Sequence, residues 1–254
     1  MGEETPSRSL PPRTTRIARR GGIPNLAKPS VREATPDMLP SPEKAVYIVG
    51  GGPSLRGFDF SKLGSKHTIT VNKSVFYTPN PNYFITVDHS FLPRVNISQF
   101  RSINTSKVFV ADFSSGNLQE RSGRIVDIKF GISYKLQDFN IIVKAYKDSG
   151  MGYAFDDFRT GRNSGFCALQ LAVILGYKKI YLLGFDLVIA ESTHFHEGYG
   201  MQCREFEEKL NLYFQYFKSG LEMLREKSPE VNVYSCSEIS RLNKIIPYQV
   251  SEGK

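Results

Sequence analysis

The sequence predicts an α/β protein: one Rossmann-like, open, mostly parallel sheet with helices on both faces. Three observations lead there. Short apolar strand signals recur along the chain with helical or loop segments between them, the order that parallel sheets need. Most of these signals are continuous apolar runs rather than alternations, as expected of strands covered on both faces. The first of them runs directly into Gly50-Gly51-Gly52-Pro53-Ser54, and a second glycine-punctuated segment, Thr160-Gly161-Arg162-Asn163-Ser164-Gly165, opens the best helix of the chain.

Residues 1–44 stand apart from this pattern. They hold eight of the fourteen prolines, many Ser, Thr and Arg, and no hydrophobic period. Such a segment cannot bury enough apolar surface to offset its ordering entropy, so a disordered Pro/Arg-rich tail is expected. Residues 45–254 are then expected to form a single nucleotide-binding domain with a core of adequate size.

Within that domain, strands are predicted at Ala45–Val49, Thr68–Asn72, Tyr83–Val87, Lys107–Val110, Arg124–Ile128, Lys179–Leu183 and Val231–Tyr234. One helix is predicted from a cap at Asn163 or Ser164 to Gly176, where a glycine suits a left-handed stop. Another spans about Arg204 to Lys227, with Phe206, Leu210, Tyr213, Phe214, Phe217, Leu221 and Leu224 on one stripe. That stripe reads as core. The middle segment, 114–159, carries Tyr, Phe and Asp residues with Gly150 and Gly152, and reads as an insertion or lid at the rim of the sheet. Its Asp156-Asp157 pair reads as a turn.

The net charge is +8, and Arg13, Arg16, Arg19 and Arg20 form the one basic cluster of the tail. A solvated tail is the plain reading, and contact with nucleic acid or an acidic surface is the alternative. Cys167, Cys203 and Cys236 are odd in number and lack metal or redox spacing, which points to a reducing compartment. The N-terminus has arginines but no apolar core of a secretory signal, and no apolar run reaches the roughly 18 residues of a membrane span. A soluble, cytoplasmic protein is expected.

Ligands of open α/β sheets sit beyond the carboxyl ends of the strands, so the residues that follow each strand are the candidates. After the first come Gly50, Gly51, Gly52, Pro53 and Ser54, where bare backbone N–H groups can approach an anion. This turn is neither the dinucleotide fingerprint nor a phosphate loop, since Leu55 stands three places after Gly52 and no Gly-Lys-Ser/Thr ending is present. A structural tight turn is the competing reading. Asn72 follows the second strand, Asp88-His89-Ser90 the third, Gly184-Phe185-Asp186 the sixth and Ser235-Cys236-Ser237 the last. At Asn163-Ser164-Gly165 the unpaired amides and positive end of a helix favour a phosphate, with an ordinary N-cap as the alternative. The two glycine-punctuated turns together suggest one phosphate-bearing ligand held from both sides.

Among the histidines, His67 reads as a surface residue and His89 as a ligand candidate. His194 and His196 lie two apart in a glycine-bounded loop, Ser192-Thr193-His194-Phe195-His196-Glu197-Gly198-Tyr199-Gly200. Either imidazole could act as a general base close to the ordinary histidine pKa of about 6.5. A metal site with Glu197 or Asp186, or a merely polar loop, are the alternatives.

Taken together, these features resemble a known family. The strand leading to Gly50-x-Gly52-Pro53-Ser54-Leu55, followed by Phe58-Asp59-Phe60-Ser61-Lys62-Leu63, resembles the start of bacterial sialyltransferases of the lipooligosaccharide type. Asn72 matches their nucleotide-contacting asparagine. Asn163-Ser164-Gly165 and the strand ending Leu182-Leu183-Gly184-Phe185-Asp186 are similar to their Thr-Ser-Gly helix and the strand after it, and Val233-Tyr234-Ser235-Cys236-Ser237 also fits. The resemblance implies a variant glycosyltransferase-A-like fold and a CMP-sugar or other nucleotide-sugar donor at the Gly-Pro-Ser turn. It further implies Ser164 beside the donor, His194 or His196 as base, and Tyr199 on the leaving phosphate, with no cofactor or metal. Gly51 stands where that family has asparagine. The same turn is similar to that of archaeal hydroxymethylpterin diphosphokinases and motility-associated (Maf) glycosyltransferases, whose Gly-x-Asp-Leu and Thr-His resemble Gly184-Phe185-Asp186-Leu187 and Thr193-His194. Small stand-alone versions also look similar to proteins carried by phages, where fold does not imply activity.

The expectation is a glycosyltransferase that moves a sugar from a nucleotide-sugar donor to a glycan or other acceptor hydroxyl. A diphosphokinase using ATP and Mg, with Asp88 or Asp186 holding the metal, is the alternative. A nucleotide-binding or virion-associated protein without turnover, and sugar transfer to modified DNA, are further ones.

Overall fold

The computed structural model describes residues 45–121, 124–128, 132–134, 138–190, 192–196 and 203–250. The tail at 1–44 and its basic cluster, Glu197 and Tyr199 lie outside the described residues. The frame is a seven-stranded sheet. It comprises β1 (Ala45–Val49), β2 (His67–Val71), β3 (Tyr83–Thr86), β4 (Ser106–Asp112), β8 (Ile141–Ala145), β9 (Lys179–Leu183) and β10 (Asn232–Ser235), in the order β10-β9-β1-β2-β3-β4-β8. Every neighbouring pair in it is parallel. Central strands such as β1 and β3 are buried almost end to end, which is why they read as unbroken apolar runs.

From β1 the chain steps outward through β2, β3, β4 and β8, then returns to lay β9 on the other side of β1. The strand order therefore reverses between β1 and β9, and this is where open parallel sheets form a crevice at their carboxyl edge. Register is marked by a ladder of stacked rings. Tyr47, Tyr181 and Tyr234 sit opposite one another on β1, β9 and β10, with centroids 4.8 and 5.3 Å apart.

One face of the sheet is covered by α2 (Ser164–Ile174) and α3 (Cys203–Lys227), which bring Phe166, Leu169, Phe217, Leu221 and Leu224 onto Val46, Ile48, Ile69 and Ile85. Asn163 is the cap of α2, and Gly176 follows its end at φ +85°. The other face carries two smaller clusters. Leu55, Phe58, Phe60 and Leu63, from short 3-10 turns after β1, cover Tyr47, Val49 and Leu183. Phe91, α1 (Ile97–Ser102) with its buried Phe100, and Leu118 and Ile125 cover Phe84 and Phe109. No helix among the described residues is long and apolar enough to cross a membrane.

Two sequence expectations are corrected here. The run Arg124–Ile128 is not a strand of the main sheet. As β6 (Arg124–Asp127) it pairs antiparallel with β5 (Leu118–Arg121) and β7 (Ile132–Tyr134) in a separate three-stranded sheet. Ile125 is buried on β6 while Ile128, just beyond it, is half exposed, the one-sided burial of such a sheet. The seventh main strand is instead Ile141–Ala145, within the segment read as an insertion or lid. Lys144 interrupts its apolar run because β8 is an edge strand, and its ammonium pairs with Glu120 at 2.6 Å.

Candidate active site

A cleft of about 440 Å³ opens at the carboxyl edge of the sheet, over the reversal between β1 and β9. Gly50, Gly51, Gly52 and Pro53 line it from β1, Asn72 from β2, Asp88 from β3 and Asp186 from β9. Asn163, Ser164 and Gly165 line it from the start of α2, and His194 and His196 from the loop after β9.

Three amides of the glycine turn are already paired within the protein. The Gly50 amide donates to Leu183 O and the Gly52 amide to Gly184 O, each at 2.8 Å. Ser54 turns away from the cleft onto Asp186, donating its amide to Oδ2 at 2.8 Å and its hydroxyl to Oδ1 at 2.6 Å. These amides serve to join the end of β1 to the end of β9, so they are not available to a phosphate. Gly50 and Gly52 are needed for close approach to β9. A Cβ on Gly52 would stand 2.5 Å from Asp186 Oδ2 and 2.6 Å from Gly184 O. Asp186, with 1% of its surface exposed, is a clamp on the turn.

The floor of the cleft is tied together by short polar side chains. Asn72, at φ +53°, accepts the Thr86 hydroxyl at 2.7 Å. Ser164 accepts the Val87 amide at 3.1 Å, which fixes the start of α2 to the end of β3. Asp88 accepts the Ser90 amide and hydroxyl at 2.9 and 2.7 Å, closing a small turn at the rim. At α2 itself the Asn163 side chain satisfies the Phe166 amide at 2.9 Å. The Ser164 and Gly165 amides have no intrahelical partner, as in any first turn, and both residues face the cleft.

The histidine loop lies directly on the glycine turn. Phe195 donates its amide to Gly51 O at 3.1 Å and packs its ring against Phe60 and Tyr77 at 5.4 and 5.0 Å. This holds the His194 and His196 rings 5.1 Å apart over Gly51. His194 accepts or donates at Nδ1 to the Thr193 hydroxyl at 3.0 Å and packs on Phe206. The sequence expectation of an ordinary pKa fails for His194. Burial, then the neighbouring His196 and Lys73 charges, lower it to about 4, so the imidazole is neutral at pH 7.

Other candidates lie elsewhere. His89 does not line the cleft; its Nδ1 is 3.0 Å from Oδ2 of the buried Asp127 on β6. His67 is partly buried rather than on the surface, with Nδ1 2.9 Å from the Tyr177 hydroxyl. Among the described residues no group of three or more His, Cys, Asp or Glu could hold a metal ion.

Sequence reasoning missed one wall of the cleft. Arg94, Arg162 and Lys209 line it, and so do Phe206, Leu210 and Tyr213 of the helical stripe assigned wholly to the core. Leu210, Phe217, Leu221 and Leu224 of that stripe are buried in the core, while Phe206 and Tyr213 are only partly covered. Burial, with the Asp88 charge as a lesser cause, raises the pKa of the Tyr213 phenol, which therefore stays protonated. The signal that could have found Arg162 is its place immediately before the Asn163 cap.

No family model matches the chain, and no curated protein matches it. Among solved structures it is similar to the sialyltransferase CstII of Campylobacter jejuni in complex with the substrate analogue CMP-3FNeuAc. The identity is 18%, over 81% of this chain and 86% of that one, with a TM-score of 0.48. An α-2,3-sialyltransferase of Campylobacter jejuni in apo form is similar at 17% identity, over 85% and 84% of the two chains, with a TM-score of 0.46. A Maf glycosyltransferase of Magnetospirillum magneticum AMB-1 is 13% identical over 82% of this chain but only 33% of its own length, with a TM-score of 0.46.

Proposed function

We propose that the protein is a glycosyltransferase that carries a sugar from a nucleotide-sugar donor, of the CMP-sugar kind, to an acceptor hydroxyl. The observation that carries this reading is the composition of the cleft. The start of α2 and the side chains of Arg94, Arg162 and Lys209 offer positive charge and donors to a phosphate, beside a neutral imidazole over Gly51. The fold's strand reversal lies beneath them, where parallel sheets take nucleotides.

In this reading the acceptor hydroxyl loses its proton to His194, or to His196 next to it, as its oxygen attacks the anomeric carbon. The bond from that carbon to the phosphate oxygen breaks, and the nucleotide leaves with the bonding electrons. The charge that grows on the phosphate is met by the α2 amides of Ser164 and Gly165 and by the cationic wall. These groups do by hydrogen bonding what a metal ion does in other transferases. An anionic donor in the cleft also strengthens the base. Burial first, then the His196 and Lys73 charges, hold the His194 pKa down, and a bound phosphate opposes the two charges. Asp186 and Ser54 act only by fixing the turn.

The test is a thermal-shift screen of CMP, UDP, GDP and ATP with and without magnesium, followed by donor turnover with the nucleotide that binds. Binding without magnesium and release of nucleotide from its sugar conjugate are expected. Binding of ATP alone, strictly with magnesium, would replace this reading with a kinase. The His194→Ala protein is expected to bind nucleotide as the parent does and to turn over at least about a hundredfold more slowly.

A further inference from the structure

Arg162 has an uncommon backbone. At φ +50° it is a non-glycine residue in the left-handed region, one step before the cap of α2. Such a conformation is strained for a residue with a Cβ and persists where surrounding contacts enforce it. Here the enforcing contacts run to Thr160, whose hydroxyl accepts the Arg162 amide at 3.1 Å, and to Asp148. The Gly161 amide donates to the Asp148 carbonyl at 2.9 Å, and Arg162 Nε donates to Asp148 Oδ2 at 2.8 Å. The other carboxylate oxygen of Asp148 accepts the Thr160 hydroxyl at 3.2 Å and the Ser114 hydroxyl. Asp148 thus ties the loop after β8 to the segment that enters α2.

The carboxylate is suited to this. Burial alone would raise its pKa, but the Ser114 and Arg162 hydrogen bonds outweigh burial and hold it below the usual value. It remains ionised and its oxygens are occupied. The guanidinium is therefore gripped by Nε only. Among the described residues its terminal nitrogens make no hydrogen bond, and the side chain, about half exposed, lines the cleft beside Ser164. An arginine held by Nε presents its outer edge, two parallel N–H groups, in the geometry that accepts two phosphate oxygens at once. Left untethered, so exposed a side chain would lose rotamer entropy on binding.

We infer that Arg162 is the phosphate-binding arm of the cleft and that Asp148 is its positioning residue, which acts on the ligand through Arg162 alone. This rests on the nucleotide reading above for the identity of the ligand, but not for its chemistry, which is a phosphate or diphosphate group.

The experiment measures affinity by calorimetry for CMP, for cytidine and for inorganic pyrophosphate in the parent, Asp148→Asn, Arg162→Ala, Arg162→Lys and the Asp148→Asn/Arg162→Ala double variant. Melting temperatures accompany each. Arg162→Ala is expected to weaken CMP and pyrophosphate about tenfold or more, with cytidine unchanged. Asp148→Asn should lose a large part of the same affinity, and the double variant should lose no more than Arg162→Ala alone. Arg162→Lys should recover little, because a point charge cannot use the Nε tether. Additive losses in the double variant, an equal loss of cytidine affinity, or unchanged pyrophosphate binding in Arg162→Ala would each overturn the inference. If pyrophosphate binds in an Arg162- and Asp148-dependent way but no nucleotide does, the inference stands and the glycosyltransferase reading falls. If the parent binds neither, both fall.

Discussion

Ser54 and Asp186, 132 positions apart in sequence, are joined by two hydrogen bonds, amide to Oδ2 at 2.8 Å and hydroxyl to Oδ1 at 2.6 Å. This one contact turns a glycine-rich segment that looks like a ligand nest into a structural joint between β1 and β9. Replacing Asp186 by Ala leaves the Ser54 amide and hydroxyl without their acceptor at a part-buried joint. The expected loss is about 3 kcal/mol by urea denaturation, with nucleotide affinity falling as the cleft floor loosens. A loss under about 1 kcal/mol would mean that the turn is held by its backbone bonds alone.

Gly51 and Gly52 should respond differently to the same substitution. The Cβ of Gly52→Ala meets the Gly184 carbonyl at 2.6 Å, and backbone there cannot move without breaking the joint. The Cβ of Gly51→Ala meets the His194 ring edge at 2.9 Å and His196 Nε2 at 3.4 Å, and loop side chains can give way. Gly52→Ala is expected to cost about 2 kcal/mol or more and Gly51→Ala well under half of that, with the larger functional effect in Gly51→Ala because it displaces the base. Comparable melting temperatures for the two would refute this ordering.

His194 makes stability depend on acid. Its folded pKa of about 4 lies below the unfolded value of about 6.5, so as pH falls the unfolded chain takes up the proton first. The stability tied to the neutral ring is complete above about pH 6.5 and is lost progressively as pH falls towards 4. Between pH 7.5 and 5 the parent should lose about 1–2 kcal/mol more than the His194→Gln variant. Parallel stability curves for the two proteins would place the ring in water instead.

Gln170 is fully buried in α2 and pins the loop that carries Asp148. Its Oε1 accepts the Gly152 and Arg159 amides at 2.7 and 3.0 Å, and its Nε2 donates to the Arg159 carbonyl at 2.6 Å. Gln170→Leu has a similar volume and leaves three backbone groups unpaired, so a loss of about 3 kcal/mol or more is expected. Hydrogen exchange should quicken at Gly152 and Arg159 first. Uniform exchange across the domain would argue against a local pin.

Readable from the residues alone were the sheet's central strands, a cap at Asn163 or Ser164, the length of α2 and the residues that gather at the carboxyl edge. Each of these is written in a local signal: an apolar run, a capping side chain, a helix-ending glycine, a strand followed by polar residues. How those residues are used depends on groups that the fold brings from far along the chain. Whether Gly50, Gly52 and Ser54 offer their amides to a ligand depends on the Leu183 and Gly184 carbonyls and the Asp186 carboxylate, far along the chain. The same holds for the depressed pKa of His194, which burial produces, and for Arg162, whose partner Asp148 comes from the loop after β8. Periodicity could assign the α3 stripe to an apolar face, but not divide it between the core and the cleft wall. It also passed over β8, since an edge strand interrupted by Lys144 has too little buried surface to leave an unbroken apolar run. Local patterns report what a segment buries, whereas a site is made by which distant groups complete its hydrogen bonds and charges.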